Sequence, residues 1–538
     1  WQLFQTFGLN HLLVVSGLHI GLVAGFGFLF GSCIHRAVLL LGWRYGNGWI
    51  PGVFSLVCAC CYAALAGFTL AANRALIMLA CFLLASMYGR NSGSANNLLL
   101  AAFIILLLNP LAGLGSGFWL SFGAVAWLLW SSLWHGAVGP LRRVIYVHVG
   151  MSCLMLPLGG WWFGGVSGVS ALANFFLVPL VGFVLVPCVL IGVALFAFAP
   201  SWGTMLLVAV GRPLEFAIAK AEQLGVASHK YLFWEFEPSA TSVVLALMGL
   251  VIFWVKPRAR FVVIVVLLCL PVLLPRGRTW DDASYLAKLT VLDVGQGTAV
   301  IFQTREKTLI YDTGGGDPAG ANMARSVVLP YLRYEGISAL ETLIVSHADN
   351  DHSAGAGLIQ SALPARQFYY GSELAVAVGG EPCIAGRAWA WSDTIAFQFL
   401  SPGLETSLTR NNTSCVLQIR VGNVNYLLPG DIDSGREREI VSNWRDRLAS
   451  HWLLAPHHGS RSSNSRLWLK YVQPGHVVFS SGYGNPFKHP APEVLQRLEE
   501  PKRAVYLTST DGAIEFFLDK DGVVDVKYFR REYRRYWL

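Results

Sequence analysis

Charge is scarce in this chain. Of its 538 residues, 13% are Asp, Glu, Lys or Arg and 54% are hydrophobic, whereas soluble globular chains carry about 25% charge. A single soluble globule is excluded. The scarcity is uneven: residues 1–275 are nearly all apolar, and residues 276–538 hold most of the charge. That is a membrane half followed by a soluble half. Other features are missing too. There is no Gly-x-x-x-x-Gly-Lys-Ser/Thr phosphate loop, so ATP hydrolysis must come from a partner if it is needed. There is no zinc site built from Cys-x-x-Cys pairs, no internal repeat and no low-complexity tract. The chain opens at Trp1 without a basic n-region or a small-residue cleavage site. No signal peptide is expected at this start, and the chain reads as a piece of a longer protein.

Cysteine is sparse where it could be chemical. Cys33, Cys58, Cys60, Cys61, Cys81, Cys153, Cys188 and Cys269 lie in apolar segments and read as small core residues. Only Cys383 and Cys415 lie in the soluble half. They pair in an oxidising compartment or stay as thiols. The net charge of +8 fits cytoplasmic loops or a polyanionic substrate equally well.

Apolar runs fall near 12–31, 50–70, 75–89, 98–113, 118–134, 144–163, 170–199, 203–218, 240–255 and 261–275. A helix needs about 20 residues to cross some 30 Å of hydrocarbon, so about ten spans are expected. The run at 170–199 carries Pro179 and Pro187 and reads as one kinked span or a re-entrant pair. Alternating connections put Arg36, Arg44, Arg90, Arg142, Arg143, Lys256, Arg258 and Arg260 on one side, against Arg74, Lys220 and Lys230 on the other. The positive-inside rule makes the first side cytoplasmic and puts the soluble half outside the cytoplasm. The expected organisation is a helical membrane domain over 1–275, a linker over 276–287 and an α/β domain over 288–538 with a basic, aromatic tail.

Polar groups within the apolar half stand out. Ser16 and His19 are three apart on one helix face, and Asn73-Arg74 opens another span. Such groups line a polar path or bond between helices, with Arg74 snorkelling.

The soluble half alternates strands and helices. Strands are expected over Leu289–Val294, Ala299–Gln303, Lys307–Asp312 and Thr342–Ser346, with helices over 321–333 and 354–362. A second series follows, with strands near 394–400, 414–421, 424–429, 451–455 and 476–480, and helices at 434–447 and 492–499. Closing strands are expected at 504–508, 513–518 and 523–528. Two β-rich halves with outer helices suggest a four-layer αββα sandwich.

Candidate ligands sit where these strands end. Leu343-Ile344-Val345-Ser346 runs into His347, Asp349, Asp351 and His352. Imidazole and carboxylate together suit a divalent cation that activates water; the bland reading is an acidic turn that caps the next helix. Gly430 turns the chain at Asp431, and Pro456 precedes His457 and His458. His489 lies just before a helix, and Asp312 opens a glycine turn from which it can orient a ligand histidine. Each has a bland alternative as a turn or cap residue. Five together at strand ends point to a shared site.

These motifs carry a resemblance. His347-Ala-Asp349-Asn-Asp351-His352, followed by Gly430-Asp431 and His457-His458, resembles the metallo-β-lactamase superfamily signature His-x-His-x-Asp-His with its later Asp and His. Leu292-Asp293-Val294-Gly295-Gln296-Gly297 is similar to the opening of the branch found in ComEC-type DNA-uptake channels. Asn10-His11-Leu12-Leu13-Val14-Val15-Ser16-Gly17-Leu18-His19-Ile20 and Arg74-Ala75-Leu76-Ile77-Met78 resemble that family's membrane segments. The resemblance covers almost the whole chain. It implies a multi-pass protein of the bacterial inner membrane that imports single-stranded DNA during natural transformation. It also implies a metal-dependent nuclease domain outside the cytoplasm that degrades the strand left behind. Other competence proteins, a cytoplasmic ATPase among them, are implied partners, and self-association stays open.

The implied ligands are His347, Asp349, Asp351, His352, Asp431, His458 and His457. Asp349, Asp351 and His489 are the implied catalytic groups, and Asp293, Gln296, Asp312, Asn412 and Ser414 the supporting ones. Arg461, Lys470 and Lys488 are candidates for holding a DNA backbone, and Ser16, His19, Asn73 and Arg74 for lining the channel. The sequence departs from the family pattern in two places. Asp349 stands where the superfamily has its second histidine, and Arg410-Asn411-Asn412-Thr413-Ser414 fills the stretch of its mid-domain histidine. An oxygen-rich site favours Mn²⁺ or Mg²⁺ over Zn²⁺, with one or two ions. Two alternatives remain: a channel with a catalytically degenerate DNA-binding domain, and a membrane-anchored phosphoester hydrolase.

Overall fold

The computed structural model describes all residues except 1, 14–15, 42–48, 91–94, 133–138, 237, 256–265, 274–284, 319, 372–379, 404–408, 500–502 and 533–538. It divides into two compact units, Trp1–Pro275 and Arg276–Leu538.

The first unit is helical and turned inside out relative to a soluble domain. Phe28, Leu40, Leu65, Phe103, Phe183 and Phe198 are exposed, as lipid-facing side chains are. Helices Gly17–Leu40, Leu70–Met87, Val144–Phe163, Ser170–Phe198 and Pro200–Gln223 are long and apolar enough to cross a membrane. Trp49–Leu65, Ala95–Leu108, Ser116–Ser132 and Ala240–Val255 are shorter. At about 1.5 Å per residue, none of them alone covers some 30 Å of hydrocarbon. Among the described residues, the runs expected to span thus include five full-length helices and these four shorter ones. The tenth run lies partly outside the described residues, and Arg44, Lys256, Arg258 and Arg260 lie wholly outside them. The run at 170–199 is one continuous helix, not a re-entrant pair. A π turn at Val181–Leu185 lies between Pro179 and Pro187 and absorbs the missing N–H groups. The run at 203–218 is extended by polar residues into a helix over Pro200–Leu232.

The second unit is built on two sheets. The strands are β1 Ala287–Val291, β2 Val300–Gln303, β3 Thr308–Tyr311, β4 Leu340–Val345, β5 Ala365–Tyr370, β6 Glu381–Pro382, β7 Ala388–Ser392, β8 Ile395–Ser401, β9 Val416–Val421, β10 Val424–Leu428, β11 Trp452–Leu454, β12 His476–Phe479, β13 Ala504–Leu507, β14 Ile514–Leu518 and β15 Val523–Tyr528. One sheet runs β15-β14-β1-β2-β3-β4-β5-β6 and the other β13-β12-β11-β10-β9-β8-β7. The faces between them bury Leu289, Phe302, Tyr311, Phe397, Ile419, Trp452 and Phe516. The outer face of the first sheet packs on Val328, Leu332 and Ile359, and that of the second on Ile440, Trp468 and Val494. The architecture is the four-layer αββα sandwich. β5, β6, β7 and the helix Arg466–Val472 were not legible in the sequence. β14 returns to the first sheet beside β1, and β15 pairs with β14 at its edge, because a strand finds its partner by burial, not by chain order. The expected 276–287 linker lies mostly outside the described residues, and Ala287 already belongs to β1.

Cys383 and Cys415 are bonded to each other. Both are buried between the sheets, and the Cys415 N–H donates to the Ser346 carbonyl.

Candidate metal centre

Loops that follow parallel strands converge at one edge of the sandwich. β3, β4 and β5 are mutually parallel, as are β10, β11, β12 and β13. Their carboxyl ends therefore deliver side chains on the same side, which is where open α/β sheets bind ligands. Asp312 follows β3, His347–His352 follow β4, Asp431 follows β10, His457 and His458 follow β11, and His489 lies in the loop after β12.

Local backbone aims these groups. Gly430 has φ +62, and a Cβ there would sit 2.8 Å from the Ser414 Cβ. Only glycine makes this turn and leaves Asp431 at the end of β10. His457 and His458 take φ values of 53° and 54°, a region non-glycine residues rarely visit. Both imidazoles thereby face one carboxylate, with Nε2 atoms 3.8 and 3.5 Å from Asp431 Oδ2.

The centre is compact. His352 Nε2 lies 3.2 Å from Asp431 Oδ1, and His458 Nε2 lies 3.2 Å from Asp351 Oδ2. The two Nε2 atoms are 3.3 Å apart. Ligating atoms of Asp351, His352, Asp431 and His458 all fall within 4.8 Å of one another. The far nitrogens are held. His352 Nδ1 lies 2.7 Å from Asp312 Oδ2, and Asp312 also accepts from the Ser346 N–H at 2.6 Å and the Ser346 hydroxyl at 2.8 Å. His458 Nδ1 lies 2.8 Å from the Ser480 carbonyl. These partners point both Nε2 lone pairs inward, as ligand histidines require.

Charge follows from packing. Burial opposes ionisation of Asp431, yet His352 and His458 hold it well below the usual carboxylate range. Burial likewise opposes charge on Asp351, but the hydrogen bond from His458 and the charge of His352 bring it down to about 2. Burial works against protonated His352, and Asp431 and Asp312 outweigh it, so its pKa is raised. Burial, then His352, pushes His347 down to about 4. Two carboxylates that stay ionised beside imidazoles suit a divalent cation. His347 Nε2 adds a second sign: it is buried with no hydrogen-bond partner, an arrangement a cation or water relieves. The residues present therefore fit a divalent ion.

The other half of the centre is poorer. His347 Nε2 is 3.6 Å from Asp349 Oδ2, and the Asp349 Oδ1 accepts from Arg410 at 3.4 Å. Ser414 Oγ, where a further imidazole would be expected, lies 3.4 Å from His347 Nδ1 and accepts from the Asp431 N–H at 3.1 Å. Sequence reasoning missed Arg410; its only signal was its place in the tract that lacks histidine.

Other candidates fall elsewhere. Asp293 touches no ligand histidine: it pairs with Arg530 at 2.7 Å and accepts from the Gly295 N–H. Asn412 instead exchanges hydrogen bonds with Asp433, the cap of helix Ser434–Trp444. Gln296 accepts from the Gly482 N–H at 3.4 Å and so ties two site loops together. Arg461 is paired with Glu493, Lys470 lies on the outer helix Arg466–Val472, and Lys488 is exposed beside His489. In the tail, Arg530 and Arg531 are paired with Asp293 and Asp511; Tyr533, Arg534, Arg535, Tyr536 and Trp537 lie outside the described residues. In the helical unit the Ser16 N–H donates to His19 Nδ1, and His19 Nε2 is buried with no partner. Asn73 bonds to the Phe68 carbonyl, and the Arg74 guanidinium lies against Gly117.

Comparison with known proteins agrees with this division. Residues 1–260 match the family model "Competence protein", and residues 292–482 match "Metallo-beta-lactamase superfamily". Competence protein ComA of Neisseria gonorrhoeae is 32% identical over 100% of this chain and 74% of its own length. The chain belongs to this competence protein family. Recombination protein 2 of Haemophilus influenzae is 31% identical over 97% of this chain and 70% of its own. ComE operon protein 3 of Bacillus subtilis is 26% identical over 95% and 68%. The competence protein is thus a multi-pass membrane protein carrying a hydrolase fold with a candidate divalent-metal site.

Proposed function

We propose that this competence protein passes single-stranded DNA across the bacterial inner membrane and hydrolyses phosphodiester bonds of the strand that is not imported. The observation that carries the enzymatic part is the convergence of Asp351, His352, Asp431 and His458. The ion these four residues would hold, Mn²⁺ or Mg²⁺ in preference to Zn²⁺, supplies Lewis acidity and lowers the pKa of bound water. Asp349, one-third exposed at the mouth, takes the proton of the attacking water. Burial, and then His458 and His457, keeps the His489 pKa low. As a neutral imidazole it donates a hydrogen bond to the phosphoryl oxygen as charge develops there.

An extracytoplasmic position for the soluble unit is supported by the Cys383–Cys415 bond, since disulfides persist in oxidising compartments. His19 and Arg74 are the groups we assign to the channel. Transport energy then comes from a partner ATPase on the cytoplasmic side, and other competence proteins complete the machine.

The test uses the full chain in detergent, stripped with chelator and reloaded with Mn²⁺, Mg²⁺ or Zn²⁺. DNA cleavage is expected, and His352→Ala and Asp431→Ala should abolish it. Ion binding without cleavage under all three conditions would instead support a DNA-binding domain that has lost its chemistry. The pairing of Asp349 with Arg410 favours that second reading. Cleavage of lipid or small phosphoesters but not of DNA would select a membrane-anchored hydrolase.

A further inference from the structure

The loop after β12 bares two rings, and one of them, Phe487, is stacked toward the metal centre. Tyr483 is 84% and Phe487 65% exposed, so both rings are open to a ligand. Phe487 lies against His489 with ring centres 5.7 Å apart and planes inclined by 24°. His489 lies over His458 in the same orientation, at 6.4 Å and 24°. The exposed ring is therefore the outer end of a near-parallel column whose inner end is a candidate metal ligand. Lys488, exposed, lies between Phe487 and His489 in the chain.

The loop is held firmly. The Asn485 side chain donates to the carbonyls of Gly482 and His489 and accepts from the His489 N–H. The Ser481 N–H donates to the Thr508 hydroxyl, and the Gly482 N–H to Gln296. Rings presented on a fixed loop lose little entropy on binding.

The geometry points to Tyr483 and Phe487 as positioning residues, a stacking platform that holds unpaired bases of the strand beside the metal centre. A flat apolar ring next to a cation is what binds a base and its phosphate without reading sequence. Bases inside a duplex have their faces covered and cannot use it. Lys488 holds the phosphate beside the stacked base, and the neighbouring phosphodiester lies toward His489 and Asp351. This inference rests on the phosphodiesterase reading for its consequence but not for its test.

Anisotropy of a labelled oligonucleotide, measured with the full chain in detergent and Ca²⁺, compares an intact single strand with one whose central nucleotides are abasic. The intact strand should bind about ten- to a hundred-fold tighter. Tyr483→Ala/Phe487→Ala should erase that preference, and Tyr483→Phe/Phe487→Trp should restore it. With a cleavable strand, the Ala pair should raise KM far more than it lowers kcat. Equal affinity for intact and abasic strands overturns the inference, as does a preference that survives the Ala pair; the rings are then a protein- or membrane-facing patch. Hydrolysis of bis(p-nitrophenyl) phosphate separates the two claims. Its absence removes the phosphodiesterase reading while the anisotropy result stands on its own.

Discussion

Replacing Asp312 is the sharpest probe of the centre, because this residue ligates nothing and yet fixes a ligand. Its carboxylate is fully buried and takes three short hydrogen bonds, from His352 Nδ1 at 2.7 Å, the Ser346 N–H at 2.6 Å and the Ser346 hydroxyl at 2.8 Å. Asn fits the same space and tolerates the φ of +62 found there. It removes the negative charge and turns one acceptor into a donor aimed at another donor. A hydrogen bond to a charged group is worth about 1.5–3 kcal/mol. Loss of an outer partner of a ligand histidine typically costs about 10–100-fold in metal affinity, which is about 1.4–2.8 kcal/mol, so the two scales agree. Titration of chelator-stripped full chain with Mn²⁺ should therefore show Asp312→Asn weaker by that factor, with activity recovered at saturating metal. Asp312→Ala should be worse and should also lower thermal stability, since it orphans all three donors. An unchanged Mn²⁺ affinity in Asp312→Asn would refute the placement of His352 as a ligand.

Asp349→His restores an imidazole beside His347 and removes the carboxylate that pairs with Arg410; metal analysis should then find a more strongly held second ion, and unchanged stoichiometry would contradict the account of the depleted half. Cys383→Ala/Cys415→Ala opens a bond spanning 32 residues; the loop-entropy relation gives a loss of about 3.7 kcal/mol, readable as a lower unfolding midpoint, and equal midpoints in oxidised wild type and variant would refute it. His476, far along β12 from the centre, is pushed down to about 4 by burial and then by His451. Between that value and 6.5 the unfolded chain binds more protons, so this group's contribution to stability falls as pH drops through the window. His476→Asn should flatten that part of the pH–stability curve, and a curve parallel to wild type would show that the imidazole does not titrate there.

The outline of the soluble unit was legible because its strands are apolar and short and end in unusual residues. β3, β4, β9, β10, β11 and β12 all fall within a few residues of the expected runs, and their ends carry Asp312, His347–His352, Asp431 and His458. β5 and β7 were not legible. Ala365–Tyr370 buries only its final three residues, and Ala388–Ser392 alternates between exposed and half-buried positions, so neither shows a clean apolar period. Asn412 and Asp293 looked like supporting groups because they lie near motifs in sequence. A helix cap and a distant arginine claimed them instead.

Composition and pattern by themselves determined that there is a membrane half and a soluble half, which residue types are available for chemistry, and that one histidine position of the signature holds aspartate. Those are properties of chain order and side-chain type, and folding does not alter them. Only the tertiary structure decided that Asp351, His352, Asp431 and His458 share one centre while Asp349 faces Arg410. It alone joined Cys383 to Cys415 and placed Phe487 over His489. The physical reason is that parallel strands from two sheets must be packed face to face before their ends meet. Which ends meet depends on long-range pairing and burial, and no local stretch of sequence encodes those.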